Sequence, residues 1–158
     1  MILVALGSNI GGPWGSPRQA VARTLVELNQ FPLKLKNASS LIITKPYGFL
    51  NQPDFVNAVA LIETALSPEA LMAKLHAIER AAGRRRRKRW GPRCLDLDLL
   101  DYHGLTRSGA RNTLKPLRLP HPGIADRKFV LAPMLEVAPT WRHPINHQTA
   151  SDMLKKLR

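Results

Sequence analysis

Two carboxylates, Asp96 and Asp98, stand two positions apart in the run Leu95-Asp96-Leu97-Asp98-Leu99-Leu100, just after the most basic stretch of the chain, Arg84-Arg85-Arg86-Arg87-Lys88-Arg89. Side chains at i and i+2 of a β-strand share a face, so Asp96 and Asp98 project side by side while Leu95, Leu97 and Leu99 project the other way. Two adjacent half-buried anions repel unless a cation sits between them. Hard oxygen donors select Mg²⁺ or Ca²⁺, and Mg²⁺ commonly takes one or two carboxylates together with substrate phosphates. Arginines a few residues upstream are natural partners for those phosphates. The combination points to phosphoryl-transfer chemistry. Taken separately, an acidic pair can simply face solvent on an open sheet, and a basic run can be a solvated surface.

Other residues could complete such a site. Asn57 is the one polar residue on a strand face that also carries Phe55, Val59 and Leu61. A buried amide must satisfy its donors and acceptors, either with backbone or with the edge of a flat heterocycle. Phe55, two residues away, offers that heterocycle a stacking face, and Phe129 could offer a second. Leu119-Pro120-His121-Pro122-Gly123 holds a histidine between two prolines, with Arg127 six residues on, a placement suited to phosphate or to the core. Trp90 could cover a base or pack inside. Glu79, near the end of a helical stretch, is expected to be solvated. Gly7-Ser8-Asn9-Ile10-Gly11-Gly12 lacks the Gly-Lys-Ser/Thr of a phosphate-binding loop and is not G-x-G-x-x-G. It is expected to be a tight connection from strand to helix.

The elements that must position these groups follow from periodicity. Residues 1–6 are an apolar strand, followed by a loop over 7–13. Ser16-Pro17 has the grammar of an N-cap and first helical position. Ala20, Val21, Leu25 and Leu28 follow at helical spacing, and Phe31-Pro32 ends that helix. A second strand runs from Ser39 to Thr44, and a long loop covers 44–54. Residues 55–65 form a central strand, apolar on both faces. Ser67-Pro68-Glu69 opens a second helix whose stripe is Leu71, Leu75, Ile78 and Ala82, stopped by Gly83. The strand of the two aspartates comes next, then a polar, basic connection over 103–118, a partly helical stretch over 126–138 and a short terminal helix over 150–158. The order β-α-β-loop-β-α-β reads as a split β-α-β arrangement, with helices packed on an antiparallel sheet.

At 158 residues and 44% apolar content, the chain is expected to form one domain spanning 1–158. It has no apolar run of 18 residues, so no membrane-spanning helix is expected, and its first residues lack the basic start of a signal peptide. The single Cys94 excludes internal disulfides and fits a reducing, cytoplasmic location. The net charge of +13 is uneven, because residues 80–128 hold fourteen of the 24 Lys and Arg against four acids. Such a field attracts polyanions. A small basic RNA-binding domain is therefore the alternative function. RNA-recognition sheets, however, display aromatics on exposed strands, and no strand here is rich in them.

Four blocks carry a resemblance. They are Ala5-Leu6-Gly7-Ser8-Asn9, then Gln52-Pro53-Asp54-Phe55-Val56-Asn57-Ala58, then Arg89-Trp90-Gly91-Pro92-Arg93-Cys94-Leu95-Asp96-Leu97-Asp98-Leu99-Leu100, and finally Pro120-His121-Pro122 with Arg127, Phe129-Val130-Leu131 and Pro133. In this order and over nearly the whole chain they resemble the 6-hydroxymethyl-7,8-dihydropterin pyrophosphokinases of folate biosynthesis. The resemblance implies an α+β, ferredoxin-like fold and transfer of pyrophosphate from ATP to the pterin hydroxymethyl group, releasing AMP. It implies two Mg²⁺ ions on Asp96 and Asp98 and the ATP phosphates. It implies a pterin stacked between Phe55 and Phe129, bonded by Asn57, with Thr44, Lys45, Tyr47 and Trp90 completing that pocket. Arg84 and Arg93 match catalytic arginines, and His121 and Arg127 match phosphate contacts. His76, Glu79, Trp90 and Leu99 join the ATP side. A monomer acting on these two small molecules, without nucleic acid or membrane, is implied. The basic segment is one residue shorter than in the enterobacterial form, so which of the arginines at 84–87 fills the catalytic place stays open. His76 stands in place of a glutamine, and Phe55 in place of a tyrosine.

Overall fold

The computed structural model describes residues 1–46, 51–84, 92–109 and 116–157. The chain order is β1 (Ile2–Ser8), α1 (Pro17–Glu27), β2 (Leu33–Ala38), β3 (Ile42–Thr44), β4 (Phe55–Thr64), α2 (Pro68–Ala81), β5 (Asp96–Tyr102), the short pair β6 (Arg107–Ser108) and β7 (Arg118–Leu119), a single 3₁₀ turn (Ile124–Asp126), α3 (Lys128–Val137) and α4 (Ala150–Lys156). The main sheet runs β2-β4-β1-β5, with β3 also paired to β4. Each of these pairings is antiparallel. Counting β2 and β3 as two pieces of one strand along β4, the connectivity is βαββαβ with the first strand in the middle. This is an α+β, ferredoxin-like fold.

Local chemistry explains the elements. Ser16 caps α1 by accepting from the Gln19 N–H at 3.2 Å, and the Gln19 side-chain oxygen accepts the Ser16 N–H at 2.9 Å. This reciprocal cap satisfies two backbone donors that helix geometry leaves open. Ser67 caps α2 with one bond, accepting the Ala70 N–H at 3.1 Å, and Pro68 fills the first helical position.

The alternation of β4 splits the interior into two layers. Val56, Ala58, Ala60 and Ile62 join Val4, Leu6, Leu95, Leu97 and Leu99 beneath Val21 and Leu28 of the α1 layer and Leu71, Leu75 and Ile78 of α2. Val59 faces the opposite way and joins Leu3, Leu100, Val130, Leu131, Met134 and Met153 under α3 and α4. Burial on both faces is why β1 and β4 read as nearly continuous apolar runs.

Four expectations about the elements are corrected. β1 extends through Gly7 and Ser8, because both pair with β4, so the connection to α1 starts two residues later. α1 ends at Glu27, short of Phe31-Pro32. A separate strand, β2, occupies Leu33–Ala38, and the strand expected at 39–44 keeps only Ile42–Thr44. The basic connection over 103–118 contains the β6–β7 pair.

Candidate active site

The two aspartates lie where β5 begins, and the geometry of β1 sets what surrounds them. In the sheet register Gly7 lies between Asn57 of β4 and Asp96 of β5, and Ala5 between Val59 and Asp98. Both aspartates project onto the α3 side of the sheet, and their side chains are 32% and 31% exposed. Leu95, Leu97 and Leu99 point into the opposite layer. The i, i+2 reading therefore holds.

Asp96 is bonded by Arg84, whose guanidinium reaches Oδ1 at 2.8 Å. The same guanidinium nitrogen donates to Glu79 Oε2, and that oxygen also accepts the Leu97 N–H at 2.9 Å. Glu79 is only 4% exposed, so the solvated position expected for it is wrong. Burial pushes its carboxyl up, against the pull of Arg84 and of the Leu97 N–H. Glu79 sits behind the aspartate strand and fastens Arg84 to it.

Asp98 has looser neighbours. Arg127 stands 3.6 Å from its Oδ2 and His121 Nε2 stands 3.8 Å from its Oδ1. Burial, with the Asp96 charge second, pushes the Asp98 carboxyl up to about 7. His121 is held down to about 4, first by burial and then by Arg127, so it is neutral at pH 7. Its Nδ1 accepts the Gly123 N–H at 3.0 Å, which leaves the ring proton on Nε2, the nitrogen facing Asp98.

Two hollows meet at Asp98. One, of about 90 Å³, is lined by Gly7, Thr44, Lys45, Phe55, Asn57, Arg93, Asp96, Asp98, Arg127 and Phe129, together with Ala5, Leu6 and Val130. The Phe55 and Phe129 rings and the Asn57 amide all belong to its wall. Asn57 is 6% exposed and donates from Nδ2 to the Thr44 hydroxyl. The other, of about 460 Å³, includes His76, Leu99, His121 and Arg118 in its wall and shares Asp98 with the first. Molecules held in the two hollows would meet at Asp98.

The family's sequence pattern, 7,8-dihydro-6-hydroxymethylpterin-pyrophosphokinase (HPPK), matches residues 3–139. The chain belongs to the HPPK family. A 2-amino-4-hydroxy-6-hydroxymethyldihydropteridine pyrophosphokinase of Haemophilus influenzae is 39% identical over 153 residues, covering 97% of this chain and 90% of that protein. One from Pseudomonas aeruginosa is 40% identical over 144 residues, covering 90% and 83%. The folic acid synthesis protein fol1 of Schizosaccharomyces pombe is 34% identical over 155 residues, but that match takes up 20% of its length.

Measured against the residues that the HPPK resemblance assigns, the structure brings Thr44, Lys45, Phe55, Asn57, Arg93, Asp96, Asp98, Arg127 and Phe129 around one hollow and His76, Leu99 and His121 around its neighbour. Arg84 reaches Asp96 from the end of α2. Glu79 lies beneath the site rather than in either wall. Tyr47, Trp90 and the arginines at 85–87 lie outside the described residues.

Sequence reasoning gave no role to Asn9. It is 2% exposed and joins three segments. Its Nδ2 donates to Gln52 Oε1 at 2.8 Å and to Pro53 O at 2.9 Å, its Oδ1 accepts the Arg93 N–H at 2.8 Å, and its own N–H donates to Arg93 O at 3.1 Å. The backbone of Arg93 is thus pinned to the end of β1. The signal was a polar residue directly following a buried strand.

The chemistry of the donor set fits Mg²⁺. Of two carboxylates on one face, Asp98 is pushed toward neutrality by burial and then by Asp96, despite the nearby Arg84 and Arg127, and a divalent ion would add charge that favours the ionised pair. Among the described residues no third acidic, histidine or cysteine side chain completes a protein-only cage. That is the arrangement expected where phosphate oxygens supply the remaining ligands.

Proposed function

We propose that this chain catalyses the transfer of the β,γ-pyrophosphoryl group of ATP to the hydroxymethyl oxygen of 6-hydroxymethyl-7,8-dihydropterin, releasing AMP. The observation that carries the proposal is the meeting of two hollows at Asp98, one lined by Phe55, Phe129 and Asp96 and the other by His76 and His121. Membership of the HPPK family supports the same reading.

In this reading the pterin lies between Phe55 and Phe129. Asn57 holds its edge, and Thr44 keeps that amide in orientation. The slot thereby points the hydroxymethyl group at the aspartates. The adenine end of ATP lies toward His76 and Leu99. Arg93 and Arg127 neutralise the phosphates, and neutral His121 donates from Nε2. Asp96 and Asp98 would hold two Mg²⁺ ions, whose chemistry there is to neutralise charge on the triphosphate and acidify the attacking alcohol. The alcohol attacks the β-phosphorus in line, with AMP leaving opposite. Such a reaction asks little covalent work of the protein, so alignment and charge dominate. Within this reading the chain acts as a cytoplasmic monomer on small molecules rather than on nucleic acid or membrane. No helix among the described residues is long and apolar enough to cross a membrane.

The test is to incubate the protein with ATP, Mg²⁺ and the hydroxymethyl-dihydropterin and follow nucleotide products. Pterin-dependent AMP is expected. Formation of ADP would assign a simple kinase instead.

A further inference from the structure

Asp96 already has a cation beside it, and that cation is part of the chain. Arg84 follows α2 closely, and its own N–H bonds back to Glu79 O at 3.0 Å. The side chain turns inward, and one guanidinium nitrogen touches both Asp96 Oδ1 and Glu79 Oε2. Glu79 is buried, and its same oxygen is fixed by the N–H of Leu97, the residue between the two aspartates. The carboxylate that holds Arg84 is thus itself tied to the strand that carries the metal-binding pair. An arginine held this way competes with a divalent ion for Asp96 Oδ1. A buried acid whose charge is met by one arginine and one backbone N–H is a socket rather than a surface contact.

We infer that Arg84 is an internal counter-cation of Asp96, parked there by Glu79, and that a divalent ion must displace it. The inference rests on the reading that Asp96 and Asp98 hold Mg²⁺. Parking keeps Asp96 compensated when no ion is bound and makes the aspartate pair a poor trap for free cations. Nucleotide shifts the balance, because its phosphates give the guanidinium another anion while supplying ligands to the ion. Glu79 is then a positioning residue: it sets where Arg84 rests when the site holds no nucleotide.

The experiment is Mn²⁺ binding followed by electron paramagnetic resonance, with and without a non-hydrolysable ATP analogue. The proteins are the wild type, Arg84→Ala, Arg84→Ala/Glu79→Gln and Arg84→Ala/Asp96→Asn, each first checked for folding by circular dichroism. Without nucleotide, Arg84→Ala should bind Mn²⁺ roughly fivefold tighter or more, the size of one modest charge pair. The gain should survive Glu79→Gln and disappear with Asp96→Asn. Unchanged affinity in Arg84→Ala, while the wild type still binds Mn²⁺ with the analogue, would overturn the exchange and leave the metal reading standing. A gain lost on Glu79→Gln would also overturn it, because the freed Glu79 would then be the ligand. Failure of the wild type to bind Mn²⁺ even with the analogue would remove the metal reading and the exchange together.

Discussion

Gly7 lies directly opposite Asn57 in the register of β1 and β4, and a methyl group on Gly7 would stand 3.0 Å from the Asn57 amide oxygen and 3.7 Å from the Phe55 ring. The absence of a side chain at Gly7 is therefore part of how the slot is built. It leaves room for the amide and one aromatic wall on a neighbouring strand.

Gly7→Ala is expected to fold and to lose affinity for the pterin. Overpacking a tight contact displaces its neighbour at about 1–3 kcal/mol, and here the neighbour is Asn57. Calorimetric titration should show pterin binding weakened about tenfold with ATP-analogue binding little changed. Equal weakening of both ligands would mean that the slot does not hold the pterin.

Asn57→Ala should separate the two ligands further. A ligand edge left without its buried partner loses on the order of 1–3 kcal/mol. Pterin affinity should fall by that amount, and affinity for an ATP analogue should hold. Parallel losses would reduce Asn57 to a residue that only braces Thr44.

Much of this site was legible in the sequence because strand parity is rigid. The i, i+2 spacing put Asp96 and Asp98 on one face, and the alternation from Phe55 to Ile62 placed Asn57 beside Phe55. Glu79 was misjudged because its charge outweighed its position. It stands four residues after Leu75 and three before Ala82, on the buried stripe of α2. β2 was missed because its alternation, Leu33-Lys34-Leu35-Lys36, is short and directly follows a proline. The role of Asn9 was out of reach, since its partners lie 43, 44 and 84 residues away and only the folded sheet brings them together.

Asp98 should make the metal-free protein less stable as pH rises. Its folded pKa of about 7 lies above the ordinary value of 3.8, so between those values the folded state binds more protons, and stability falls as pH increases. His121 works in the opposite sense. Its folded value of about 4 lies below the ordinary 6.5, so its contribution is present above that range and is lost as pH falls. Comparison of Asp98→Asn with the wild type isolates the aspartate. In chelator, the variant should melt a few degrees higher at pH 8, at about 2–4 °C per kcal/mol for a chain of this size, and the difference should close toward pH 4. A difference that does not vary with pH would show that the carboxyl is not strained.

Arg93 lines the hollow shared by the two phenyl rings and the aspartates, with its backbone fixed by Asn9. Arg93→Ala should lower kcat strongly and change the KM for ATP less, as expected when a contact strengthens in the transition state. Asn9→Ala, which frees the same backbone, should lower kcat in the same direction by a smaller factor. A rise in KM alone for Arg93→Ala would make it a ground-state phosphate contact.

In the proposed reaction the bond broken lies between the α- and β-phosphates of ATP, and the distal pair passes to the pterin. Two parallel reactions with ATP radiolabelled at the α- or the γ-phosphorus test it directly. The α-label is expected in AMP and the γ-label in the pterin product, in equal amounts. Label from the α-position appearing in ADP, or γ-label released as free phosphate without entering the pterin, would contradict it.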